Sequence, residues 1–171
     1  MVSEEDLEAV LAELHQLRNR VPQLTGALAA GVDGLVVAHD TPGVDPEGLA
    51  ALTAAALGVA VRVADATGNG GFRELLVRGE RGYVATYAAG RTAVLTLLAQ
   101  DRVNVGRLHL EGRRAGARVG ELLDAADAAA RQARRAGRPL GAVSTTPPTT
   151  RTRTTRTPRA ASADARTATD S

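Results

Sequence analysis

Apolar residues recur at helical spacing near the start of the chain, at Leu7, Val10, Leu11, Leu14 and Leu17, and predict an amphipathic first helix. Ser3 stands three residues before Asp6 in a capping-box arrangement, and Asn19 and Pro22 mark its end. The period then shortens. Residues 24–32 and 35–40 are short extended runs joined at Val32, Asp33 and Gly34, and an Asp-Gly step between apolar runs predicts a hairpin because both residues tolerate positive φ. Asp45 offers an N-cap with Pro46 at the first helical position, and Leu49, Leu52, Ala56, Leu57, Ala60 and Val63 continue the pattern until Gly68 interrupts it. Three further strands are expected over 72–78, 83–88 and 93–99.

The last of these strands is apolar at nearly every position, whereas 72–78 interleaves Arg73, Glu74 and Arg78 with Leu75, Leu76 and Val77. A strand apolar on both faces belongs in the middle of a covered sheet, and a charged one belongs near an edge. Leu108, Ala115, Val119, Leu122, Leu123 and Ala126 trace a third helix over about 104–135. It contains Gly112, Gly116 and Gly120, each costing about 1 kcal/mol relative to alanine in a helix interior. Their four-residue spacing suggests that another element approaches that face closely; the alternative is a helix that bends or starts later. The order α-β-β-α-β-β-β-α defines an α+β domain, a five-stranded antiparallel sheet with helices on both faces.

Composition narrows the chemistry. The 21 basic residues are all arginine, cysteine and tryptophan are absent, and there are one phenylalanine and two tyrosines. Disulfides, thiolate metal sites, cysteine nucleophiles and lysine Schiff bases are thereby excluded. Arginine in place of lysine, beside many alanines, also fits GC-rich codon usage. Residues 1–138 carry 16 Arg against 17 acidic residues, and 139–171 carry five against two, so the basic character lies at the C-terminal end. No uninterrupted apolar run reaches the roughly 18–20 residues of a membrane helix. The acidic start, with Glu4, Glu5, Asp6 and Glu8, is unlike a signal peptide. A soluble cytoplasmic protein is expected, recruited to a membrane only through partners.

After Gly137 the composition shifts: residues 139–171 hold ten Thr, three Ser, four Pro and six Ala, with Leu140 and Val143 as the larger aliphatics. Such a segment buries too little apolar surface to offset an ordering cost of about 1–2 kcal/mol per residue. The expected organisation is therefore a domain over 1–137 and a disordered Thr/Pro/Arg-rich tail over 138–171. The tail reads first as a solubilising segment; an electrostatic arm and a set of phosphorylatable threonines are the alternatives.

The remaining chemistry is sparse. Ser3 is the only serine before Gly137 and begins a helix, which is no place for a hydrolase nucleophile. His15, His39 and His109 have no metal-ligand spacing, and His39 with Asp40 is a weak dipeptide signal. Asp33, Asp40 and Asp45 fit turn and cap duties better than calcium binding. Gly68, Gly70 and Gly71 follow a helix and precede a strand, the reverse of a phosphate loop. With few aromatics and a near-neutral core charge, a nucleic-acid module is not indicated in the core. No cofactor, metal or catalytic residue is expected, and the core reads as a binding surface rather than an enzyme.

Taken together, DGLVVAHD at 33–40, the helix beginning DPEGLAAL at Asp45, FRELLVRGERGYVATY at 72–87 and TAVLTLLA at 92–99 resemble the roadblock family over about residues 6–125. That family includes dynein roadblock light chains and bacterial partners of Ras-like GTPases. The resemblance implies a profilin-like sheet ordered 2-1-5-4-3 and a homodimer in which the third strands pair edge to edge and the second helices pack together. It further implies a noncatalytic regulator of a small Ras-like GTPase, in an assembly that can include a sensor-kinase-like protein. The alternatives are a signalling scaffold that binds no GTPase, and a nucleic-acid-associated protein acting through its tail. On this resemblance the candidate interface residues are Glu47, Leu49, Leu52, Thr53, Ala56 and Val63 on the second helix, with Arg73, Leu75 and Val77 on the edge strand. A Leu75→Pro change is expected to block pairing at that edge.

Overall fold

The computed structural model describes residues 2–136. Its elements are α1 (Glu4–Arg20), β1 (Leu24–Gly31), β2 (Val36–Asp40), α2 (Pro46–Ala66), β3 (Glu74–Gly79), β4 (Gly82–Ala89), β5 (Ala93–Gln100) and α3 (Val105–Ala136). The boundary at 137 and the tail assigned to 138–171 lie outside the described residues. One antiparallel sheet runs β2-β1-β5-β4-β3, with β5 at its centre and β3 at one edge.

Local chemistry sets most boundaries. The Ser3 hydroxyl accepts from the Asp6 amide while the Asp6 carboxylate accepts from the Ser3 amide, completing the capping box of α1. Asp45 caps α2 by accepting from the amides of Glu47 and Gly48. The first hairpin turns at the expected Val32, Asp33 and Gly34, with Leu35 added to the loop. Its strands stop at Gly31 and resume at Val36, and the loop is closed by Gly31 N–H donating to Leu35 C=O and Gly34 N–H to Gly31 C=O. The Asp33 carboxylate accepts from the Leu35 amide, and Gly34 supplies the positive φ of 85°.

The two faces of the sheet are unequal. On one, α1 and α3 cover Ala27, Ala29, Ala85, Tyr87, Leu95 and Leu97 with Val10, Leu14, Leu17, Leu108, Val119 and Leu123, in a core of twenty buried residues. On the other, α2 rests on a cluster of three, Leu28, Ala30 and Ala50. Beside that cluster runs a row of buried hydroxyls: Thr86 and Thr96 are 3.1 Å apart, and the Thr96 hydroxyl donates to Thr53 at 3.5 Å.

The alanine-rich α2 also revises the reading of apolar runs. Its 21 residues carry charge only at Glu47, Arg62 and Asp65, and over an 18-residue window mean hydropathy is 1.6. By length and composition it could cross a membrane, because a helix averages over charges that break a linear run. Here Ala50, Thr53 and Leu57 are buried against the sheet, so α2 is a layer of this domain.

The glycines of α3 do mark a close approach. A Cβ at Gly116 would lie 3.0 Å from the Ala88 carbonyl oxygen, and one at Gly120 would lie 2.8 Å from the Ala89 carbonyl carbon. At Gly112 it would lie 2.9 Å from Cδ2 of the Tyr87 ring. The three bring α3 directly onto β4 and the turn after it.

Charged side chains clasp α1 to α3. Glu13 accepts from Arg20 at 2.7 Å and from Arg118, while Arg20 also donates to Glu111 at 2.9 Å. Burial raises the Glu13 pKa, but hydrogen bonds from Arg118 and then Arg20 outweigh it and hold the carboxyl below the ordinary glutamate range. A carboxylate with a depressed folded pKa stabilises the fold above its unfolded pKa, and that contribution is lost as pH falls through the folded value. Melting temperature is therefore expected to be level at neutral pH and to fall once pH drops below the usual glutamate pKa of about 4.3. Glu13→Gln should make that fall shallower; equal acid slopes in thermal melts of the two proteins would show that the clasp contributes nothing.

Candidate dimer and partner interface

The outward face of α2 has no partner among the described residues. Leu52 is 71% exposed, Val59 64% and Val63 57%, and their spacing places them on one stripe with Ala55. The buried residues of this helix end at Leu57, so no residue of its last two turns is buried. Beside these turns is a groove of about 1320 Å³ walled by Ala56, Val59, Ala60 and Val63 on one side and Phe72, Arg73 and Leu75 on the other. Exposed contiguous apolar surface of this kind marks an interaction site.

The strand beside it is an open edge. In the register, Arg73 lies opposite Ala88, and the Ala88 amide donates to the Arg73 carbonyl at 3.0 Å. Hydrogen-bonded and non-bonded pairs alternate in an antiparallel ladder, so Leu75 and Val77 direct their backbone groups toward β4 while Glu74, Leu76 and Arg78 direct theirs outward. This corrects the expectation for Leu75→Pro: that change removes a donor from the β3–β4 ladder and unseats the strand itself. The amides that face outward are those of Glu74, Leu76 and Arg78, none of which the sequence pattern selected as an interface residue.

The edge is held by α3. Arg113 donates twice to Glu74, at 2.6 and 2.7 Å, and His109 Nδ1 lies 3.6 Å from the same carboxylate. Chiefly through the Arg113 hydrogen bonds, the Glu74 carboxyl is kept below the ordinary glutamate range. Behind it the Tyr87 hydroxyl lies 3.1 Å from His109 Nδ1 and donates to Leu108 C=O, and burial pushes its pKa well above the usual phenol range. Tyr87 is thus a neutral buried anchor joining β4 to α3.

The sequence-selected residues divide accordingly. Leu52 and Val63 lie on the exposed stripe, Glu47 is exposed in the first turn of α2, and Ala56 and Leu75 line the groove. Arg73 and Val77 are exposed on the edge segment. Leu49 packs partly against the small cluster beneath α2. Thr53 is 6% exposed and faces Thr96, so it belongs to the packing of α2 on the sheet and is closed to a partner. Val59 was missed, although it is on the same helical stripe as Leu52 and Val63 and the spacing could have found it. His39 and Asp40 do not act together: as neighbours on β2 they point to opposite faces, and Asp40 accepts from Arg18 at 2.5 Å. Among the described residues no three His, Asp or Glu side chains form a metal-binding group.

A five-stranded sheet in this order, with two helices on one face and one on the other, is the arrangement that the resemblance to the roadblock family implies. The Roadblock/LC7 domain model matches residues 10–99, more than half of the chain, and the chain belongs to that family. It is 33% identical over 114 residues to the uncharacterized protein MJ0714 of Methanocaldococcus jannaschii, an alignment covering 66% of this chain and 92% of that one. Among solved structures, the gliding protein MglB of Thermus thermophilus is 24% identical with a TM-score of 0.66, covering 71% of this chain and 93% of that one. A Roadblock/LC7 domain from Streptomyces avermitilis is 25% identical with a TM-score of 0.61, covering 66% and 96%.

Proposed function

We propose that this chain is a noncatalytic adaptor that acts as a homodimer, joined at the β3 edge and the outer face of α2, and that the dimer regulates a small Ras-like GTPase in a signalling complex. The observation that carries the dimer is the coincidence of two unfinished surfaces on one side of the molecule: outward amides at Glu74, Leu76 and Arg78, and the bare stripe of Leu52, Val59 and Val63. An open edge invites another strand. Burying a Leu or Val side chain contributes about 1.5–3 kcal/mol, so the stripe gives a second copy reason to stay. A two-fold contact satisfies both surfaces at once.

The GTPase partnership rests on membership of the roadblock family. The partner to test is a small Ras-like GTPase from the same genome, by interferometry with the GTPase in its GTP-analogue and GDP forms. The chain should bind one form in preference to the other. The double variant Val59→Asp/Val63→Asp should convert a dimer to a monomer in light scattering at micromolar concentration while keeping the circular dichroism of the fold. A monomeric wild-type chain would remove the dimer, and a dimer that captures no GTPase would favour a scaffold with other signalling partners.

A further inference from the structure

The edge strand is complementary to itself. Residues 74–78 read Glu-Leu-Leu-Val-Arg, with opposite charges at the two ends of an apolar run, so an identical strand laid antiparallel beside them meets minus with plus and apolar with apolar. The backbone narrows the ways this can happen. Only residues whose amides and carbonyls face outward form hydrogen-bonded pairs with a neighbouring strand, and in β3 these are Glu74, Leu76 and Arg78.

Two-fold symmetry then leaves few registers. Centred on Leu76, the pairing sets Leu76 opposite its own copy and Glu74 opposite Arg78 twice over; all three outward residues of each strand are used, in six hydrogen bonds at two per pair. A slip of one step, centring the pair on Leu75 or Val77, keeps four of these bonds and removes both charge pairs. Centring on Glu74 or Arg78 keeps two and puts like charges face to face, which is destabilising. On the opposite face of the strand, the register centred on Leu76 sets Leu75 against Val77, and Leu75 already lines the groove with Val59 and Val63. Both charged residues are held from within their own chain, Glu74 by the two hydrogen bonds of Arg113 and Arg78 with its guanidinium 5.6 Å from the centre of the Tyr83 ring. Side chains fixed beforehand lose less freedom on pairing.

We infer that β3 pairs with a second copy of this chain in one register, centred on Leu76, and that Glu74 and Arg78 select a like strand over edge strands of other charge pattern. The inference rests on the homodimer proposed above and adds to it the register and the choice of partner. A strand with the two charges exchanged, or with one sign at both ends, meets at least one like charge here.

The chain has no cysteine, so introduced thiols report the register directly. Full-length Leu75→Cys, Leu76→Cys and Val77→Cys are oxidised with glutathione disulfide and linked dimer is read on a non-reducing gel, with light scattering and circular dichroism reporting assembly and fold. Opposed residues have Cα atoms about 4.5–5.5 Å apart and diagonal neighbours about 7–8 Å, whereas a disulfide spans at most about 7 Å. Leu76→Cys should therefore link to itself. Leu75→Cys and Val77→Cys should stay unlinked alone and link when mixed. Self-linking of Leu75→Cys or Val77→Cys would overturn the register while leaving the dimer in place, and a dimeric parent with no linkage in any pair would overturn it by moving the interface off this edge. A monomeric parent would remove the dimer itself. For the selection, Arg78→Glu should raise the dimer dissociation constant about tenfold at low salt, and mixing it with Glu74→Arg should restore tighter pairing than either variant shows alone. An unchanged dissociation constant in Arg78→Glu, with the fold intact, would overturn the role of the charges.

Discussion

A chain carrying Gly120→Ala is expected to melt about 5–10 °C below the parent, the opposite of what this exchange does in most helices. In an unobstructed helix interior, alanine is better than glycine by about 1 kcal/mol. Here the added Cβ would meet main-chain atoms of Ala89 and Gly90 well inside van der Waals contact, and main chain cannot rotate away as a side-chain tip can. Overpacking of this kind costs about 1–3 kcal/mol and occasionally more, and α3 would have to lift from β4 to relieve it. At about 3–5 °C per kcal/mol for a domain of this size, the loss is easily read by calorimetry. Gly112→Ala should also lower the melting temperature, because its obstacle is the Tyr87 ring, which is buried and held at its hydroxyl. A melting temperature unchanged or raised in Gly120→Ala would mean that α3 does not sit on β4 as described.

The second large effect is on assembly. Leu76→Pro should yield a folded monomer where the parent is a dimer, while Leu75→Pro should lose the fold of β3 as well. The difference is one of parity: the Leu76 amide faces out from the sheet and the Leu75 amide faces β4. Proline is tolerated on an edge strand where its missing donor faces away from the sheet. In a symmetric strand pair the defect occurs twice, at about 1–3 kcal/mol for each unpaired group. That is about thirtyfold or more in the dimer dissociation constant. Leu76→Ala keeps the amide and separates this backbone effect from the loss of a side chain that is 36% exposed. Light scattering over a concentration series measures both. A Leu76→Pro protein that dimerises as tightly as the parent would move the interface away from this edge.

Several acidic and arginine side chains serve the fold rather than a partner. Glu13 and Glu111 are each drawn to arginines from a neighbouring element, and Glu74 is held by Arg113 at the edge on which the proposed dimer depends. The Arg113 clamp therefore joins α3 to the strand that would meet a second copy. It lies largely in solvent, so its contribution to stability is small, on the order of the 0–1 kcal/mol of surface pairs. Its value is positional.

Much of this molecule is written in local pattern. The order of elements, the Ser3 and Asp45 caps, β5 at the centre and β3 at the edge follow from periodicity, capping chemistry and the distribution of charge, because each depends on residues near one another in sequence. The three glycines of α3 announced a close approach in the same way. What the sequence could not decide was direction. The side chains of Leu52 and Thr53 are adjacent in the chain and both fit an alanine-rich helix, yet one is 71% exposed and the other 6%. That difference is set by where α2 lies across β1 and by the hydroxyl of Thr96, forty-three residues away. The outward parity of Leu76 and the span of α3 beyond its last buried residue are likewise tertiary facts. Each is fixed by the register of strands or the seating of a helix, and none is encoded by any single stretch of chain.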